Sequence, residues 1–210
     1  MKTLFLTSIG LPIETRAYFL KLLAKPIKET RVAFVPTAAD PDKKKWYVKA
    51  ALDELKEIGF PIEMVDLKAP VEKVRDSIEK CDVLYINGGN TFYLMDWIRK
   101  SKLDEYLGDL LEEGKIYLGA SAGSIIVGPD IACAGWDPGW DKNVVNTKDT
   151  CGLSFVDFAI SPHFTEPEKC ILTKNAKKVD YKIWPITDQQ AILVQGAEIT
   201  LVGKGEKVTL

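Results

Sequence analysis

The chain has one histidine, His163, and only four cysteines, Cys81, Cys133, Cys151 and Cys170, none close to another in sequence. That scarcity removes the paired Cys/His spacing of a zinc or redox centre, so no metal is expected. Long apolar runs are missing as well. No window approaches the ~18 apolar residues of a membrane span. The start, Met1-Lys2-Thr3-Leu4-Phe5-Leu6-Thr7-Ser8, holds too short an apolar stretch for a secretory leader. There is no cationic surplus either: Lys and Arg number 28 against 30 Asp and Glu, a net charge of -2, which argues against the basic footprint of a nucleic-acid binder. No Pro/Gly/Ser-rich linker, repeat or low-complexity segment divides the 210 residues, so residues 1–210 are expected to form one domain. On these grounds the protein is expected to be cytoplasmic, with neither a membrane nor a nucleic acid as partner.

What is present is a pattern. With 46% hydrophobic residues the chain can build a substantial core, and short apolar runs alternate with amphipathic stretches, which predicts an α/β fold. Residues 3–8, 31–37, 62–67, 82–87 and 115–119 read as strands, the central ones continuous enough to be buried on both faces of a mostly parallel sheet flanked by helices. Helices are predicted over 42–58, stopped by Gly59, and over 71–80, 91–100 and 103–113. A strand at 156–161, a helix at 166–177 and a closing β-region from 183 to 210 complete the pattern.

The most informative segment is Tyr117-Leu118-Gly119-Ala120-Ser121-Ala122-Gly123-Ser124-Ile125-Ile126, an apolar strand running into Gly-x-Ser-x-Gly and then a predicted helix. Such an elbow lifts a serine hydroxyl out of the sheet, and the helix N-terminus favours negative charge developing beside it. The alternative is a small-residue turn that packs a helix on a sheet. In an open parallel sheet, reactive groups gather beyond the carboxyl ends of the strands. A second strand, glycine pair and helix start, Tyr85-Ile86-Asn87-Gly88-Gly89-Asn90-Thr91-Phe92, should therefore meet the first. Its backbone suits an oxyanion hole, Gly89 N–H pairing with Ala122 N–H, while Gly88 and Asn90 are candidates to touch substrate. Taken alone, the same residues describe a β-turn with Asn90 or Thr91 as helix cap.

An activated serine needs a base, and His163, in Ile160-Ser161-Pro162-His163-Phe164-Thr165, is the only histidine available. The orienting acid is less determined. Asp188, in Ile186-Thr187-Asp188-Gln189-Gln190, is one candidate, and Asp137, Asp141, Asp149 and Asp157 lie between the serine and the histidine. The stretch Ala134-Gly135-Trp136-Asp137-Pro138-Gly139-Trp140-Asp141-Lys142 is a candidate substrate loop. Trp136 and its neighbour Trp140 could wall a pocket while Asp137 or Asp141 holds a substrate ammonium, or the tryptophans could cover a sheet edge or form the contact of a homodimer.

Three motifs, Asn87-Gly88-Gly89-Asn90-Thr91-Phe92, Gly119-Ala120-Ser121-Ala122-Gly123 and Ser161-Pro162-His163-Phe164, resemble in order and spacing those of the dipeptidase E (aspartyl dipeptidase) and cyanophycinase family of serine peptidases. The similarity spans most of the chain. It implies a class I glutamine amidotransferase-like (flavodoxin-like) fold, with serine where the amidotransferases carry cysteine at the elbow. It also implies Ser121 as nucleophile, His163 as base, an acid from the loop holding Asp188, and an oxyanion hole at Gly89 and Ala122. One feature of aspartyl dipeptidases, an arginine beyond the histidine that helps recognise an N-terminal aspartate, has no counterpart, because no arginine follows Arg99. Lys169 and Lys174 supply the nearest positive charge, without an arginine's bidentate fork. The expectation is a serine hydrolase that cleaves the amide bond of a small peptide substrate and needs no cofactor. An esterase using the same elbow, or a catalytically silent binding or regulatory module on the same fold, are the alternatives.

Overall fold

Strands β1 (Thr3–Thr7), β2 (Val32–Val35), β3 (Ile62–Met64), β4 (Val83–Ile86) and β5 (Ile116–Ala120) run parallel in the order β3-β2-β4-β5-β1 in the computed structural model, which describes residues 1–210. Continuous apolar sequence is what a strand covered on both faces requires, and β2, β4 and β5 are buried along their whole length. Of these five strands, only the edge strand β3 has exposed residues. Side chains alternate between the two faces. On one face Phe5, Phe34, Tyr85 and Leu118 pack against Phe19 of α1 (Ile13–Leu20) and Ala51 and Leu55 of α2 (Trp46–Ile58). On the other, Leu4, Leu6, Leu84, Ile86 and Tyr117 meet α3 (Val71–Glu79), α4 (Thr91–Lys100) and α5 (Leu103–Glu112), through residues such as Ile78, Ile98 and Leu107.

The helix expected after the elbow forms as α6 (Ala122–Ile125), a single turn. Gly128-Pro129 interrupts it, since proline disfavours a helical residue before it. The strand expected at 156–161 forms as β6 (Phe158–Ser161), but it leaves the main sheet and pairs in parallel with β7 (Lys182–Pro185). The helix expected at 166–177 opens with a 3-10 turn at Glu166–Glu168 and a Thr165–Glu168 capping box before α7 (Lys169–Ala176). The closing β-region resolves into β7 and the hairpin of β8 (Gln190–Gln195) and β9 (Glu198–Gly203). Strand β8 pairs antiparallel with β1, with Thr7 opposite Ala191, and extends the sheet to seven strands. Helix α1 is absent from the sequence reading because only Thr15 and Phe19 are buried along it, too few to write an apolar stripe. No helix is long and apolar enough to cross a membrane.

Two consequences of this topology concern the site. Parallel β1, β4 and β5 bring their carboxyl ends to one edge of the sheet. Because β8 runs the other way, its amino end arrives at that same edge.

Candidate active site

Ser121 follows β5 directly and sits at φ 51°, ψ -112°, a conformation that side chains other than glycine's rarely adopt. The surrounding structure enforces it. Ser121 N–H donates to Thr7 O at 3.0 Å, Ser124 Oγ donates to Thr7 O and Gly119 O at 2.7 and 2.8 Å, and Tyr117 Oη donates to Gly123 O at 2.7 Å. Gly123 has to be glycine, because a Cβ there would overlap the Ile86 carbonyl of β4. The Gly-x-Ser-x-Gly spacing thus reports a turn pressed against the neighbouring strand, which lifts Oγ above the sheet edge.

His163 lies just beyond β6, at φ 60°. Its Nε2 is 3.0 Å from Ser121 Oγ, and its Nδ1 is 2.8 Å from Asp188 Oδ1. The β6–β7 pairing continues past the strand ends, with Ile186 N–H donating to Ser161 O and Phe164 N–H to Ile186 O, which ties the His163 and Asp188 turns together. Among the candidate acids it is therefore Asp188 that reaches the imidazole. Its carboxyl is held below the usual carboxylate range by the His163 hydrogen bond, against a partial opposing effect of burial and with a further contribution from Ser8.

Ser8 is a residue that sequence reasoning missed. Fully buried at the end of β1, it accepts the His163 backbone N–H at 2.5 Å and donates to Asp188 Oδ1 at 2.7 Å, with His163 Nδ1 3.3 Å away. The only sequence signal was its position immediately after an apolar strand, on the edge where such sites gather.

The glycine loop lies beside the serine. Gly88 packs against Ser121, and Gly89 adopts φ 140°, where a Cβ would overlap the Ala38 backbone. Neither Gly89 N–H nor Ala122 N–H donates a hydrogen bond within the protein, so both remain available to an incoming oxygen. Asn90, expected near substrate, spends its side chain elsewhere: Oδ1 accepts from Tyr93 N–H at 2.9 Å as the α4 cap, and Nδ2 donates to Lys142 O at 2.8 Å. The candidate substrate loop does reach the site, through Trp140 and Asp141 instead of Trp136 and Asp137. Trp136 packs against the core, and Asp137 closes a turn by accepting Gly139 N–H at 2.7 Å.

Two cavities meet at the serine. The larger, about 550 Å³, runs between the loop after β1 and helix α2 and is walled by Leu11, Pro12, Trp46, Tyr47 and Ala50. The smaller, about 170 Å³, lies on the other side among Ile125, Ala134, Trp140 and Ile160. Ser121, His163 and Asp141 border both. Asp141 accepts from Thr91 N–H at 2.7 Å, and burial lifts its carboxyl above the usual range. All four cysteines are free thiols, Cys133 among the residues that line the smaller cavity, and burial pushes Cys81 and Cys133 up to about 11 and about 12. No group of three or more His, Cys, Asp or Glu side chains is arranged to hold a metal ion.

A hydroxyl, an imidazole and a carboxylate in one hydrogen-bonded line, with free backbone donors beside the hydroxyl, is the arrangement by which serine-type hydrolases are recognised regardless of fold. The chain belongs to peptidase family S51, whose family model matches residues 4–202. It is a serine-type peptidase. An uncharacterized peptidase of Listeria monocytogenes is 31% identical over 208 residues, covering 95% of this chain and 97% of that protein. Peptidase E of Salmonella arizonae is 28% identical over 168 residues, 79% of this chain and 69% of its own length. A Listeria monocytogenes crystal structure assigned provisionally to peptidase E superposes with a TM-score of 0.83 at 29% identity, covering 98% of this chain and 100% of the other.

Proposed function

We propose that the protein hydrolyses amide bonds of short peptides, in the manner of a dipeptidase, through an acyl-enzyme on Ser121. The observation that carries this reading is the alignment of Ser121 Oγ, the two His163 nitrogens and Asp188 Oδ1 at 3.0 and 2.8 Å. As Oγ attacks the scissile carbonyl carbon, its proton passes to His163 Nε2, while Asp188 holds the Nδ1–H and stabilises the imidazolium that forms. The Gly89 and Ala122 N–H groups receive the negative charge developing on the carbonyl oxygen. Collapse of the intermediate breaks the C–N bond, and the amine departs with the proton from Nε2. A water then gives a proton to Nε2 and attacks the ester carbon. The Oγ–C bond breaks, the proton returns to Oγ, and the carboxylic acid is released. No cofactor takes part.

The names of the relatives support a short substrate, since matched proteins are called peptidase E and, in Drosophila melanogaster, an alpha-aspartyl dipeptidase. The size of the larger cleft is in keeping with it. In fold, the same reading groups the chain with the class I glutamine amidotransferases. The test is intact-mass analysis after incubation with a fluorophosphonate probe, comparing wild type, Ser121→Ala and His163→Ala. One adduct mapped to Ser121 and lost in both variants is the expected result. An unlabelled wild type beside a hydrolase that labels, with short peptides left intact, overturns the reading.

A further inference from the structure

The larger cleft beside Ser121 is lined by three carboxylates and by no lysine or arginine. Glu54 is already matched by the protein: Oε2 accepts Leu11 N–H at 2.7 Å and Oε1 pairs with Arg16 at 3.0 Å. Asp42 and Asp141 have no such counter-charge. Asp42 accepts only the Tyr47 hydroxyl, and Asp141 only the Thr91 N–H through Oδ2. Lys43, Lys44, Lys45 and Lys142 adjoin them in sequence, yet none lines the cleft, and Lys45 turns to Asp40 at 3.6 Å. The two carboxylates feel each other's charge, and Asp141 borders both cavities, so their combined field acts on groups on either side of the serine.

A second, independent observation points to a ligand in this cleft. Asn87, 3% exposed and immediately before the Gly88-Gly89 loop, is one of the residues lining it, and its buried Nδ2 has no hydrogen-bond partner in the protein. A buried amide donor left unpaired is costly, and an oxygen on the occupant removes that cost.

We propose, resting on the reading of Ser121 as the nucleophile, that this cleft selects short peptides with a free N-terminal ammonium and a basic or neutral first residue, held by Asp141 and Asp42 while Asn87 Nδ2 donates to a substrate oxygen. An acidic first residue adds a negative charge to a cleft that has no cation to receive it. The last arginine in the sequence, Arg99, is engaged by Asp149 at 3.1 Å and by the Cys151 carbonyl at 2.7 Å. Specificity here rests on repulsion of the wrong substrate as much as attraction of the right one.

The experiment is kcat/KM for Lys-Leu, Ala-Leu, Asp-Leu and N-acetyl-Ala-Leu, followed by mass spectrometry, with fluorophosphonate labelling of Ser121 in the same preparation. Lys-Leu is expected to exceed Asp-Leu by about 100-fold, and acetylation to lower turnover of Ala-Leu by about tenfold or more. Asp42→Asn is expected to narrow the Lys-to-Asp ratio by about tenfold. Equal or faster cleavage of Asp-Leu, or of the acetylated peptide, overturns the proposal even when Ser121 labels. If Ser121 does not label and no peptide is cut, the hydrolase reading fails. Calorimetric binding of Lys-Leu and Asp-Leu then decides selectivity by itself: tighter Lys-Leu supports it, and equal or tighter Asp-Leu overturns it.

Discussion

Removing the Ser8 hydroxyl asks whether the carboxylate end of the hydrogen-bonded line must be held in place by a second donor. Ser8 Oγ is fully buried and does two things, accepting His163 N–H at 2.5 Å and donating to Asp188 Oδ1 at 2.7 Å. Ser8→Ala deletes both contacts and leaves the backbone N–H of a residue at φ 60° without its acceptor. Asp188 is 53% exposed on its side chain, so water replaces much of the lost bond at that end. The expected destabilisation is therefore about 1–2 kcal/mol, near the lower end for a bond to a charged group. The effect on the reaction should be larger than on the fold. With Asp188 free to turn and the His163 backbone untethered, the imidazole spends less time in line with Ser121, and kcat should fall about 10–100-fold, or ~1.4–2.8 kcal/mol of barrier. KM should change by less than about twofold, because the hydroxyl is committed to Asp188 and His163 and not to substrate. Initial rates of short-peptide hydrolysis over a range of concentrations, beside urea melts, separate the two effects. Ser8→Thr, which keeps the hydroxyl, should recover most of kcat even if its extra methyl costs stability in a buried site. A Ser8→Ala enzyme that folds and retains kcat within about twofold of wild type refutes the positioning role.

Three further outcomes follow from the same geometry. Because Ser121 is held at φ 51°, where glycine is at ease and alanine is not, Ser121→Gly should melt at a higher temperature than Ser121→Ala, by about 1 kcal/mol in stability, and calorimetry that finds the reverse order would show that the elbow is unstrained. Gly123→Ala drives a methyl into the Ile86 carbonyl of a buried strand and should cost about 2–4 kcal/mol in urea unfolding; an unchanged midpoint would mean that the turn can slide off β4. Burial raises the Asp141 pKa above its unfolded value, so the native state binds more protons between the two values, and stability falls as pH rises through that window. Asp141→Asn, which keeps an oxygen for Thr91 N–H, should match wild type below the unfolded pKa and be more stable near neutrality, and a variant less stable than wild type at pH 7 would show that the charge helps the fold.

Much of the fold was written locally. The apolar runs of β1, β2, β4 and β5 and the stripes of α2 to α5 give nearly their own boundaries, because burial on two faces or on one stripe leaves a periodic trace in the chain. The α2 start is later than the pattern suggested, and Asp42, left outside the helix, receives the Tyr47 hydroxyl at the cleft. Helix α1 left no such trace, and the detour of β6 into a second sheet could not be seen, because a strand's periodicity does not say which strand it pairs with. In the substrate loop, composition marked the segment, but which tryptophan faces the cavity depends on how the loop packs on the core.

By itself the sequence determined the elements and the local turns: the elbow that exposes Ser121, the Gly88-Gly89 loop with its free donors, and a lone histidine after a strand, each set by residues a few positions apart. Only the tertiary structure decided which carboxylate reaches that histidine and that Ser8 braces both. Ser8 meets His163 across 155 residues and Asp188 across 180. Asp188 arrives because β8 runs antiparallel to β1 and delivers its leading turn to the edge where the parallel strands end, and the pairing of β6 with β7 ties the His163 turn to that same segment. Strand order and direction are set by burial of the sheet as a whole, and no local periodicity records them.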